Sequence, residues 1–327
     1  MNVGYLIKSK PAMKTIQYSE ILRRAFLLTW KNKFLWVLGL FIFIGSVVSN
    51  INFNPQDLSS QSASIPTAIS SFFSQHQKTI ENVFFLFVLL ELLLFFLKII
   101  SNAAIIKSAN DTKLYSQLPL RKILSEGLTY FYRLLFIEVL LDITVGLLAL
   151  VFVSPILYLF SLNAFVSGIL ATVLAFGILV PLMILIYFIR RYSYYYVVLT
   201  NSGIKASLEN GYGIFLQNAK KSLLMALLSI GIGLGFVLSL LLVLVLIGAL
   251  ASLISFGAYL LFAKNGLILV VLISSLFVLL FILLAFAAFT AFIQVLWLLF
   301  FKQISFQKSL DQKTEEELAA MPSPEAA

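Results

Sequence analysis

Four ionisable side chains stand inside otherwise apolar runs: Glu91 and Lys98 in one, Glu138 and Asp142 in the next. A charge at the centre of a bilayer costs about 2.5–3.5 kcal/mol on insertion scales, so such groups pair with one another or face a cavity. Glu138 and Asp142 are four residues apart and share one helix face. Counted at about 1.5 Å per residue from the inner ends of their runs, Lys98 lies ~12 Å deep and the two carboxylates ~6 and ~12 Å deep. Antiparallel neighbours would therefore bring Lys98 against one or both acids. Glu91 sits nearer the midplane, seven residues before Lys98 on a similar face. Two chemistries are open to this set. One is a buried ion pair that fixes helix register, with a raised pKa on the spare acid. The other is a proton-titratable site or a polar pocket for a substrate head group.

Other chemistries lack their residues. Cysteine is absent, which excludes disulfides, thiolate catalysis and cysteine-ligated metals. The one histidine, His76, stands in a polar stretch, and zinc needs about four ligands. Neither an HExxH, a GxSxG nor a P-loop pattern occurs. Gly231-Ile232-Gly233-Leu234-Gly235 lies within an apolar run, not between a strand and a helix, so it does not read as a nucleotide fingerprint. The chain is read as non-enzymatic, with no catalytic residue, cofactor or metal.

Two further sets read as contacts. Arg190, Arg191, Tyr192, Tyr194, Tyr195 and Tyr196 close the fourth apolar run, and Lys220 and Lys221 open the fifth. Arginine marks a cytoplasmic helix end and tyrosine suits the interface, so these residues predict an interface anchor or, on the sharper reading, a basic aromatic collar that binds membrane lipids with anionic head groups. Gly231 with Gly235, and Ala287 with Ala291, fit the small-xxx-small rule for close helix approach, within the bundle or between protomers.

The elements that must position these residues follow from composition. The 327 residues are 61% hydrophobic and 11% charged, against about 25% charged in soluble domains. An all-α, polytopic membrane protein is expected. About 20 apolar residues cross a bilayer core of about 30 Å. Six runs suffice: 34–51, 83–106, 134–160, 165–189, 223–250 and 266–299. Residues 253–262 read as a short interfacial or re-entrant piece, and Pro155 and Pro181 as places where a span kinks. Twenty of the 23 Lys and Arg fall on one side of this layout, Lys78 and Lys264 on the other, and Lys98 inside a span. That asymmetry predicts cytoplasmic termini. It also assigns the net charge of +9 to topology and anionic lipid, not to nucleic acid. Residues 1–33 read as a cytoplasmic amphipathic segment, 52–82 as a solvated outer loop with a short helix at 67–73, and 302–327 as a flexible cytoplasmic tail.

A weak repeat precedes each odd-numbered span. Ile21-Leu22-Arg23-Arg24-Ala25, Ile123-Leu124-Ser125-Glu126-Gly127 and Ser207-Leu208-Glu209-Asn210-Gly211 each place a leucine three residues before a small residue, with an aromatic following. Each predicts an amphipathic helix in the inner interface, its small residue allowing a close neighbour. The stretches ILRRAFLLTWKNKFLWVLGLF (Ile21 to Phe41) and YYYVVLTNSGIKASLENGYGIFLQNAKKSLL (Tyr194 to Leu224) resemble poorly characterised bacterial six-span proteins. These in turn are similar to the membrane domain fused to some glycerophosphodiester phosphodiesterases. The resemblance implies six helices in a bacterial cytoplasmic membrane and no activity, because the catalytic barrel of those enzymes has no counterpart here. The expected function is lipid binding, or a subunit or scaffold role with a partner or a second copy. The alternative is a small transporter or permease component with Glu91, Lys98, Glu138 and Asp142 lining a polar site.

Overall fold

The computed structural model describes residues 17–48 and 77–319, and every regular element among them is an α-helix. In chain order these are α1 (Tyr18–Lys31), α2 (Phe34–Val48), α3 (Gln77–Asn110), α4 (Thr112–Tyr115), α5 (Leu120–Leu128), α6 (Phe131–Ser161), α7 (Phe165–Thr200), α8 (Ile204–Gln217) and α9 (Ala219–Ala319). Four of them are long and apolar enough to cross a membrane, and a fifth span arises if α1 and α2, bent by 101°, count as one broken span. The chain is a multi-pass helical membrane protein. His76, the short helix expected at 67–73 and most of the outer loop lie outside the described residues.

The structure departs from the expected six-span layout in two places. α2 has only 15 residues, fewer than the ~20 that a straight crossing takes. α9 is assigned as one helix of 101 residues, yet its backbone leaves helical geometry at Ala263 (φ 51°, ψ −144°). Phe236 stacks on Phe289 with centroids 4.1 Å apart, so the two halves fold back on each other. We call 219–262 the first arm and 264–319 the second. The reversal uses Gly266: a Cβ there would come within 2.5 Å of the Ala258 carbonyl. Residues 253–262 therefore continue the first arm and form no separate re-entrant piece. No proline interrupts that arm, and an uncharged helix can run on until polar Lys264 and Asn265. At about 1.5 Å per residue the arm is ~66 Å long, twice the ~30 Å hydrocarbon core. The second arm likewise stays helical to Ala319, where a flexible tail is expected. Residues 302–319 are rich in Lys, Gln, Glu and Leu, with no Gly or Pro before Pro322, and such residues favour helix. Pro155 and Pro181 lie inside α6 and α7 without ending either.

The repeat is expressed as architecture. α3, α7 and the second arm of α9 meet at the centre, joined by Gln294 Nε2 donating to Asn102 Oδ1 at 3.0 Å and by the Phe188–Trp297 and Tyr195–Phe301 ring contacts. α2, α6 and the first arm lie outside them. Each short amphipathic helix packs on a central one through its small residue. Gly127 of α5 sits so close to α3 that a Cβ would lie 2.5 Å from the Ile100 carbonyl, and Gly211 of α8 would reach Ser193 Oγ of α7 at 2.8 Å. Ala25 of α1 is fully buried, and Tyr18 of the same helix stacks on Phe300 of the second arm. The first short helix thus packs on the last central helix and closes the set into a ring. These helices and the turns beside them carry most of the basic residues, and we call this the basic end. At the α1–α2 elbow, Lys33 Nζ stands 3.9 Å and 3.7 Å from the Trp30 and Trp36 ring centres, while Phe26 and Trp30 stay exposed, as an interfacial helix requires.

The contiguous buried core lies at this end. Fully buried Leu134, Ile137, Tyr192, Val197, Leu296 and Trp297 belong to it, whereas no residue from 241 to 286 is buried. The apolar faces beyond stay exposed in the single chain. Polar ties close the connections: Arg133 donates to Asn201 Oδ1 at 2.7 Å and to its carbonyl at 3.1 Å, holding the left-handed residue (φ 55°) that ends α7. Buried Tyr115 of α4 donates to the Glu126 carboxylate of α5. Burial first, and then Glu126, pushes the Tyr115 phenol above its ordinary pKa. This contribution to stability is full below the ordinary tyrosine value of about 10 and fades as pH rises above it. Tyr115→Phe should cost about 1.5–3 kcal/mol, the range for a hydrogen bond to a charged group. An unchanged melting temperature at neutral pH would show that this bond does not pin α4 to α5.

Candidate polar site at the basic end

The α6–α7 hairpin turns at 162–164, with Asn163 left-handed at φ 56°. Antiparallel pairing from that turn brings residues near 140 against residues near 188. Glu138 and Asp142, one turn apart on α6, thereby face Arg190 of α7. Arg190 Nη2 lies 2.5 Å from Asp142 Oδ1, and Nη1 lies 3.4 Å from Glu138 Oε1. The other oxygen of Glu138 accepts from Tyr194 Oη at 2.6 Å. Lys98 of α3 reaches Glu138 Oε1 only at 4.0 Å. The Glu138 side chain is 7% exposed and that of Asp142 is 54%, so Glu138 is the acid that depends on its partners. Arg190 Nε is buried without an acceptor among the described residues.

The expected set is therefore brought together in part. Lys98, Glu138 and Asp142 cluster, but Arg190 is the main cation. Glu91 is half-buried and does not line the pocket that Lys98 and Glu138 share. Seven residues of helix carry it about 10 Å along the axis, beyond reach of the cluster. The signal that could have found Arg190 is the hairpin itself, because counting outward from its turn pairs Asp142 with the inner part of α7.

The collar expectation is corrected. α7 continues as helix to Thr200, past the end expected at 189, and α8 folds back over that extension. Tyr192 and Tyr195 are core residues, 0% and 1% exposed. Tyr192 donates to Ser222 Oγ at 2.7 Å, and Tyr196 packs edge-on to Phe301 at 5.2 Å. Lys220 is exposed and Lys221 is half-buried, its carbonyl within 3.5 Å of Tyr18 Oη. Of the packing residues, Ala287 and Ala291 are buried against Gly39 of α2. Gly231 and Gly235 are exposed, and a Cβ on either meets nothing within 4 Å. They make no close approach within this chain, because the first arm presents that face away from its neighbours.

Arg191 is the residue whose setting differs most from the expectation. Its guanidinium turns inward, 4.5 Å above the Trp297 ring. Nη1 donates to Tyr187 Oη at 2.6 Å, with longer contacts from Nη2 to Gln294 Oε1 at 3.4 Å and from Nε to Tyr195 Oη at 3.5 Å. All of these acceptors are neutral. Two cavities adjoin at this residue. One, of about 240 Å³, is polar and lined by Lys98, Asn102, Glu138, Arg190 and Gln294 together with Tyr187 and Arg191. The other, of about 720 Å³, is an apolar groove between α7 and the arms of α9, lined by Met183, Leu227, Ile230 and Ile293, again with Tyr187 and Arg191. Such an arrangement can hold an amphiphile. Comparison with protein families, with curated proteins and with solved structures finds no match for this chain.

Proposed function

We propose that the protein is a non-enzymatic membrane protein that binds a membrane lipid at its basic end, between α7 and α9. The observation that supports this reading is the shared wall of Tyr187 and Arg191, which joins a small polar pocket to a long apolar groove. Ligand sites are mostly apolar, with a few fixed polar groups that orient the ligand, and this pair of cavities has that composition. The setting we propose is a bacterial cytoplasmic membrane with both termini inside. The one-sided distribution of Lys and Arg supports it, as does the resemblance of Ile21–Phe41 and Tyr194–Leu224 to bacterial six-span proteins.

The transporter reading has less support. Glu91 stands apart from the cluster, and Glu138 and Asp142 are already engaged by Arg190 and Tyr194. Native mass spectrometry of protein released gently from its own membranes tests the proposal. Retained lipid on a monomer or homodimer is expected. A stoichiometric protein subunit with no lipid would favour an assembly role instead.

A further inference from the structure

The charges around the polar pocket do not balance. Lys98 and Arg190 are matched by Glu138 and Asp142. Arg191 adds a third cation, and no carboxylate pairs with it among the described residues. A desolvated guanidinium without a counter-charge is costly. Here it is braced, not neutralised: over the Trp297 ring, and held by Tyr187, Gln294 and Tyr195. Guanidinium carries five N–H donors, and these contacts engage three of them. The remaining donors form the kind of edge that matches phosphate oxygens in a fork.

We propose that the lipid bound here is anionic and phosphate-bearing, its phosphate on Arg191 and one acyl chain along the groove between α7 and α9. This inference rests on the lipid-binding reading. Three observations select the ligand class. The unmatched charge is positive, which asks for an anion. Both acids of the cluster already face Arg190, so neither is left to receive the ammonium of a zwitterionic head group. The polar pocket measures about 240 Å³, below the ~300–1,000 Å³ of sites that enclose a whole drug-sized ligand, which suits a compact head group with its chain lying outside.

The test is a titration of the detergent-solubilised full chain, read by native mass spectrometry. The probes are phosphatidylglycerol, phosphatidylcholine with the same chains, and water-soluble glycerol phosphate. Phosphatidylglycerol should bind at least about tenfold more tightly than phosphatidylcholine, the equivalent of one charge-assisted contact of about 1.4 kcal/mol. Arg191→Gln should abolish that preference, and Lys113→Gln, on an exposed basic-end lysine, should leave it in place. Ile230→Trp fills the groove from an exposed position and should weaken phosphatidylglycerol without touching the cation, which keeps the test valid if Arg191→Gln fails to fold. Equal binding of the two lipids, or equal loss in the Arg191 and Lys113 variants, overturns the anionic assignment while leaving lipid binding itself in place. Glycerol phosphate binding as tightly as the lipid overturns the groove's part. Wild-type protein that retains neither lipid sinks the lipid-binding reading as a whole.

Discussion

Arg190→Ala should lower the melting temperature of the detergent-solubilised protein more than removal of any other single charge. The guanidinium faces two carboxylates from α6, and Glu138 is nearly sealed from solvent, at 7% side-chain exposure. Taking the arginine away leaves that carboxylate with Tyr194 Oη and with Lys98 at 4.0 Å. Breaking a buried pair from one side costs about 3–5 kcal/mol, most of it the penalty of the stranded charge. The loss should fall on the α6–α7 hairpin. Lys98→Ala should cost less, because Arg190 still neutralises Glu138. Lys264→Ala, at the far reversal of α9, should cost nothing measurable. A double variant, Arg190→Met with Glu138→Gln, should recover part of the loss, since the stranded charge is then absent and Tyr194 keeps an acceptor. Arg190→Ala melting with Lys264→Ala would remove the claim that this cluster holds the hairpin. No recovery in the double variant would show that Arg190 acts through packing and not through charge.

The parts of this molecule that were legible in the sequence are those set by one-dimensional pattern. Apolar runs gave the helices, and the Leu-x-x-small motif located α1, α5 and α8 together with the residues that touch their neighbours, Ala25, Gly127 and Gly211. Two intramembrane acids four residues apart were recognisable as one face seeking a cation. Which cation answered follows only from counting outward from the hairpin turn at 162–164, and it needs α7 to continue as helix past Arg191, where the apolar run has already ended. The same continuation hid the fate of the tyrosines. Read along the chain, Tyr192 and Tyr195 follow an apolar run and look interfacial; in the fold α8 covers them. The reversal of α9 left only a polar trace, Lys264-Asn265-Gly266, within a stretch whose uniform hydrophobicity marks no boundary.

Gly39→Val should be the most damaging packing change, and it separates what pattern offers from what the fold uses. Gly39 of α2 lies against the second arm of α9. A Cβ there would collide with the Ala287 carbonyl and approach Ala291 N at 2.9 Å and Ala291 Cβ at 3.0 Å. The obstacles include backbone atoms, so a rotamer change cannot relieve the clash. α2 has to move off the arm, taking with it the Phe43–Phe286 stack at 4.6 Å. On its other flank Gly45 is as tightly held, with a Cβ placed 2.7 Å from both the Leu94 carbonyl and Lys98 Cβ, so α2 cannot slide to make room. Overpacking a well-filled site costs about 1–3 kcal/mol, occasionally more, and a helix pinned on both sides should fall at the upper end. In a membrane, where close backbone approach replaces the hydrophobic drive between helices, such a loss should appear as poor accumulation and early melting in detergent. Gly231→Val and Gly235→Val carry the same sequence pattern into open space and should melt like the wild type. Wild-type melting of Gly39→Val would mean that α2 does not sit where the fold places it. Strong damage from Gly231→Val would mean that its exposed face is covered in the native membrane, with a second copy of the chain as the first occupant to look for.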